Sequence, residues 1–185
     1  MKISSKKIAL YGVLSALMFL FLLVETYVFT AFLGAFTPAI LTLPLAVAIS
    51  IYSGKKGMWA GGTIFGCCSF FLAIIIANPV FINPLVSILP RILIGVIAYL
   101  VYLAVKLIFK NNKKGFLSET LPLGIAGVFG ILTNTVCTIF MMFLFKATGI
   151  EAVLATVMSI NFVAEVVGAI ILVPIYVKVF NKIDK

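Results

Sequence analysis

Of the chain's 185 residues, 64% are hydrophobic and only 10% charged, a balance that no soluble domain of this size buries in one core. The formal net charge of +9 would serve nucleic-acid binding only as a basic stripe on a soluble face, whereas the lysines here stand between apolar runs. With no histidine and five acidic residues, the chain has neither the usual general base nor the carboxylate clusters of a metal site, so an enzyme, a bound metal and a cofactor are not expected.

At about 20 residues per crossing, the length is enough for an all-α bundle of six transmembrane helices, one membrane domain over residues 1–185. Lys2, Lys6 and Lys7 before apolar Ile8 to Val24 imitate a secretory signal peptide, but the run outlasts an h-region and the chain stays hydrophobic beyond it. The segment is therefore read as a first span, Ile8 to Phe29. The second, Phe36 to Tyr52, is short and carries Pro38 and Pro44. Proline costs little near a helix start, where its missing N–H is not needed, and this span is expected to begin irregularly. Met58 to Ala77, Leu85 to Phe109, Leu121 to Phe145 and Val153 to Phe180 complete the set.

Basic residues alternate across these spans. Lys2, Lys6 and Lys7, then Lys55 and Lys56, then Lys106, Lys110, Lys113 and Lys114, then Lys178, Lys182 and Lys185 all fall on one side, against Lys146 on the other. The positive-inside rule then puts both termini in the cytoplasm. Trp59, Tyr52, Tyr99 and Tyr102 lie toward the same ends and read as interfacial anchors. Cys67, Cys68 and Cys137 lie in apolar runs without a spaced framework, so they read as small packing residues, not as disulfides or zinc ligands. Small residues four apart, as in Gly57/Gly61, Gly62/Gly66 and Ala126/Gly130, let helices approach closely within the bundle.

Polar groups inside a span are costly and rarely face lipid, so each is a candidate for function. On the fourth span Asn83, Ser87, Arg91 and Gly95 recur every four residues and form one slowly drifting stripe. Arg91 falls roughly 10 Å below the outer surface, where it needs an anion. Pro90 frees the carbonyl of Val86 beside it. On the sixth span Asn161 and Glu165 share a face with Gly168, and Thr133, Asn134 and Thr135 interrupt the fifth. If these helices converge, they make a polar pocket. Two alternatives stay open: Arg91 and Glu165 neutralise each other as a buried pair, or Arg91 holds an anionic ligand. Glu25, near the outer end of the first span, is either a rim residue or a ligand contact. The chain has no Gly-x-x-x-x-Gly-Lys-Ser/Thr motif, so it does not hydrolyse ATP through a P-loop of its own.

Three stretches carry a resemblance. Asn83-Pro-Leu-Val-Ser-Ile-Leu-Pro-Arg-Ile-Leu-Ile-Gly95 and Gly130-Ile-Leu-Thr-Asn-Thr-Val136 resemble the fourth and fifth helices of the pantothenate branch of S components, the substrate-binding subunits of energy-coupling factor (ECF) vitamin transporters. Ser53-Gly-Lys-Lys-Gly57 followed by Gly61 and Gly62 resembles that family's turn between helices two and three. The resemblance spans nearly the whole chain. It implies a subunit of a bacterial plasma membrane that takes a vitamin from outside and docks on a transmembrane T component served by two ATPases. The family's first-helix Ala-x-x-x-Ala motif for that docking has its counterpart in Gly12-Val-Leu-Ser-Ala16, with glycine in place of the first alanine. Pantothenate is an acid with hydroxyls and an amide, which Arg91 and the asparagines Asn134 and Asn161 suit chemically, with Glu165, Asn83, Ser87 and Glu25 as further candidates. Other S components bind vitamins such as hydroxymethylpyrimidine, thiamin or riboflavin, and the resemblance leaves these as alternatives to pantothenate. From other classes, an ion-coupled secondary transporter would use Glu25 or Glu165 as a proton carrier, and a membrane scaffold would use only the small-residue faces. The loops Thr30 to Phe36 and Asn78 to Asn83 are short and uncharged, a composition suited to covering a site from outside.

Overall fold

The computed structural model describes residues 5–33, 38–78, 81–109, 116–145 and 160–183. None of these is in a strand. α1 (Ser5–Leu23) runs on into a π-helical turn, Val24–Phe29, and a short α2 (Thr30–Leu33). α3 (Thr42–Ser53), α4 (Ala60–Ile75), the single turn α5 (Pro84–Ser87), α6 (Leu89–Ile108), α7 (Phe116–Leu144) and α8 (Ile160–Ile183) follow.

The stretches Ser5–Phe29, Pro84–Ile108, Ser118–Leu144 and Asn161–Ile183, of 25, 25, 27 and 23 residues, are long and apolar enough to cross a bilayer. The chain is thus an all-helical membrane protein. The second and third expected spans form helices in the expected places, but they stop at 12 and 16 residues, short of the ~20 that a crossing takes. Their ends have local causes. Residues 38–41 form no helix before Thr42, the irregular entry that Pro38 led us to expect, and Gly54 closes α3 at φ +69°, a left-handed conformation natural to glycine. The N-terminal part of the expected sixth span, residues 153–159, lies outside the described residues, as do Lys2, Lys110, Lys113, Lys114, Lys146 and Lys185 and residues 34–36 and 79–80 of the two loops read as possible covers.

α3 is the centre of the bundle. Every residue from Thr42 to Ile51 is buried, and α1, α4, α6, α7 and α8 all pack on it. A helix that is apolar all round belongs inside, and here it lies inside other helices. Lipid-facing residues are instead on the periphery, where Val13, Phe71, Phe140, Val163 and Ile171 are exposed; an apolar surface of this extent is stable only in a bilayer or against a partner.

Close packing depends on missing side chains. A Cβ on Gly61 would overlap the carbonyl of Ala46, and one on Gly62 the carbonyl of Arg91, so α4 lies directly against the backbones of α3 and α6. Gly66 meets Ile88, and Gly130 meets Val47 and Ile94. These pairs pack within the chain. Cys68 also joins helices, its thiol lying 3.8 Å from the carbonyl of Ser15 on α1. Gly12, by contrast, has nothing within 4 Å of a Cβ, and both Gly12 and Ala16 are exposed. Gly62→Ala is therefore expected to lower the melting temperature in detergent by the equivalent of about 1–3 kcal/mol of overpacking, whereas Gly12→Ala leaves it unchanged or slightly raised.

Candidate functional site

The site starts from a break in a helix. Asn83 caps α5, its side-chain oxygen accepting from the N–H of Leu85 at 3.0 Å, and Pro90 begins α6 within its first turn. Proline has no N–H to return to the carbonyl of Val86. Arg91 takes that carbonyl instead, its Nη1 donating to Val86 at 3.0 Å, as the position of Pro90 predicts. Ser87 is fully buried and donates to the carbonyl of Phe81. Asn83 and Ser87 thus shape the turn that presents Arg91, and both are committed to backbone.

Arg91 itself is 7% exposed. Its guanidinium carbon lies 5.3 Å from the Phe65 ring centroid and 5.0 Å from that of Phe81, cation–π contacts that lower the cost of holding the charge out of water. Its Nε is buried without a hydrogen-bond partner, and among the described residues the guanidinium makes no ion pair. The two rings were not singled out in the sequence because a phenylalanine in an apolar run carries no mark of its partner.

The carboxylates are engaged elsewhere. Glu25 is 4% exposed, which excludes the rim position. Its Oε1 accepts from the N–H groups of Leu41 at 2.6 Å and Thr42 at 3.1 Å, and its Oε2 accepts from the Thr42 hydroxyl at 2.6 Å. Leu41, at the N-cap of α3, has no side chain able to cap, so a carboxylate from α1's π-helical extension takes over the orphan donors that every helix start leaves. Glu165 accepts from the N–H of Ala39 at 3.0 Å. Both acids therefore clasp residues 39–42, and the expected alternative in which Glu165 neutralises Arg91 is not the arrangement formed. The physical reason is adjacency: α7 packs on both α6 and α8, and α3 packs on both as well, so the helices carrying Arg91 and Glu165 are separated by other elements.

One turn before Glu165, the side-chain oxygen of Asn161 is buried with no partner. On α7, Thr133 donates to the carbonyl of Phe129 at 2.7 Å, and Asn134 is approached by the Thr138 hydroxyl at 3.5 Å. Among the described residues a buried donor on a cation, Arg91 Nε, and a buried acceptor, Asn161 Oδ1, are left without a hydrogen-bond partner, as is the hydroxyl of Ser50 inside α3. Unmet polar groups of this kind are rare in folded proteins and call for an explanation.

Over 98% of its length the chain is similar, at 25% identity, to the pantothenic acid transporter PanT of Lactococcus lactis, 96% of which is covered. No protein-family model matches the chain. The resemblance read from Asn83 to Gly95 and from Gly130 to Val136 is to the same pantothenate branch.

Proposed function

We propose that this chain, similar from end to end to a pantothenic acid transporter, is the substrate-binding S component of an ECF-type vitamin importer in a bacterial plasma membrane, with pantothenate as its ligand. The single observation that carries the reading beyond likeness is the Arg91 guanidinium, buried with an unpartnered Nε and, among the described residues, no carboxylate in an ion pair. A fixed cation at this depth is expensive, and a ligand carboxylate would satisfy it with charge-assisted hydrogen bonds. Val86 already holds Nη1, so the ligand would approach the Nε edge. Asn134 on α7, which packs against α6, would serve its hydroxyls and amide together with Asn161 on α8, while Glu165, engaged with the N–H of Ala39, would position that side of the site. Asn83, Ser87 and Glu25 would act as positioning residues, since their side chains are committed to backbone and to Thr42.

In this reading the chain crosses the membrane six times with both termini cytoplasmic, α3 enclosed by its neighbours and α4 packed against α3 and α6. The lysine-bearing ends face the cytoplasm and the Arg91 turn faces outward. The chain is not an enzyme. Energy comes from two ATPases through a T component, which docks on the exposed small-residue face of α1 at Gly12 and Ala16. Reconstituted vesicles test the partnership: pantothenate accumulation is expected only when a T component, both ATPases and ATP are supplied. Accumulation by this chain alone would overturn the proposal in favour of an ion-coupled transporter.

A further inference from the structure

The two rings over Arg91 are held in place by backbone contacts on either side of the guanidinium's own turn. Phe65 stands on α4 between Gly62 and Gly66. A Cβ on Gly62 would overlap the carbonyl of Arg91, and one on Gly66 would lie 3.0 Å from the Cα of Ile88. The two glycines thus bring α4 onto the start of α6 and set the buried Phe65 ring against the cation. Phe81 precedes α5, and its carbonyl accepts from the hydroxyl of the fully buried Ser87, so the turn that presents Arg91 also tethers Phe81 beside it.

Both rings have the guanidinium carbon over them, at 5.3 and 5.0 Å from their centroids. A ring face carries the negative part of the aromatic quadrupole. It attracts a guanidinium, and by the same sign it repels an anion brought onto it. Guanidinium hydrogen bonds run in the plane of the planar fork. With Nη1 spent on Val86, an anion is left the remaining N–H groups in that plane. A carboxylate is planar and can keep both oxygens there. A sulfonate or phosphonate is tetrahedral, and a third oxygen must leave the plane, toward the rings. We propose, on the reading that Arg91 holds the ligand's carboxylate, that Phe65 and Phe81 are specificity-determining residues which restrict the anion at Arg91 to a planar carboxylate and reject tetrahedral oxyanions. Charge alone does not discriminate between the two classes; the rings supply the repulsive element that discrimination needs.

Titration calorimetry on the full-length protein in detergent tests this with three ligands: pantothenate, its analogue with a sulfonate in place of the carboxylate, and its analogue with a primary alcohol there. The wild type is expected to bind the sulfonate at least about tenfold more weakly than pantothenate, the low end of what one misfitting group costs in a closed pocket. Phe81→Leu keeps an apolar side chain and removes the ring. It is expected to narrow the carboxylate-to-sulfonate ratio by about threefold or more, while the alcohol, which reports on the charge of Arg91, stays as disfavoured as in the wild type. Phe65→Leu is expected to act in the same direction, with its melting temperature recorded because Phe65 is part of the core. Wild-type protein that binds the sulfonate as tightly as pantothenate, or folded Phe81→Leu protein that keeps the wild-type ratio, would overturn the role of the rings and leave pantothenate binding standing. Folded wild-type protein that binds none of the three would overturn the transport reading and the role of the rings together.

Discussion

Arg91→Gln is expected to weaken pantothenate binding by at least about thirtyfold, measured by titration calorimetry on the purified protein against a panel that also contains thiamin, riboflavin and hydroxymethylpyrimidine. Removing one member of a buried, hydrogen-bonded charge pair costs about 2–5 kcal/mol, and each 1.4 kcal/mol is a factor of ten. Glutamine ends where Nε stands, two bonds short of the Nη1 that reaches Val86, so this bond is lost with the charge, and the turn should survive on the contacts of Asn83 and Ser87. Arg91→Lys keeps the charge and loses the planar fork, and it is expected to fall between the two because an ammonium cannot engage a carboxylate bidentately. Stability should move the other way. With no ligand present, the guanidinium is a buried cation that, among the described residues, is balanced by two aromatic faces and one carbonyl, so Arg91→Gln should melt no lower than the wild type. Wild-type affinity in a folded Arg91→Gln protein would remove the carboxylate role from this residue. Tight binding of another vitamin would change the ligand and keep the subunit's role.

The parts of this arrangement that were legible in the sequence are those governed by local chemistry. Pro90 lacks an N–H, so the freed Val86 carbonyl and its capture by Arg91 followed from covalent structure alone. Pro38 likewise announced the irregular entry to α3, and the four-residue spacing of small residues announced the close helix approaches at Gly61, Gly62 and Gly130. What could not be read depends on which helices become neighbours. The apolar run from Thr42 to Ile51 is the same whether it faces lipid or protein, and only the assembled bundle shows it wholly enclosed. For the same reason Glu165 was a chemically reasonable partner for Arg91 until α3 and α7 were seen to separate their helices. Phe65 and Phe81 are two of 17 phenylalanines, and nothing in their local sequence tells those that face a cation from those that face lipid.

Glu25→Ala is expected to be among the most destabilising single changes in the chain, although Glu25 touches no ligand in this account. The substitution strands three donors at once in a buried place: the N–H groups of Leu41 and Thr42 and the Thr42 hydroxyl. An unsatisfied buried donor costs about 1–3 kcal/mol. Some relief comes from rotation of the Thr42 hydroxyl, so a total loss of roughly 3–5 kcal/mol is expected, read as a large fall in melting temperature in detergent. Glu25→Gln separates geometry from charge. Its amide oxygen can accept from both backbone N–H groups, and its NH₂ can donate to the Thr42 hydroxyl, so a loss of only about 1 kcal/mol is expected, the share that charge adds to such bonds. If glutamine melts as low as alanine, the charge at the start of α3 matters more than the hydrogen bonds. If alanine melts like the wild type, the clasp is not what holds α3 in place. Because α3 packs on α4 and α6, a shift at its start is transmitted to the backbone of Arg91 through Gly62, and Glu25→Ala protein that remains folded should also bind pantothenate more weakly than Glu25→Gln.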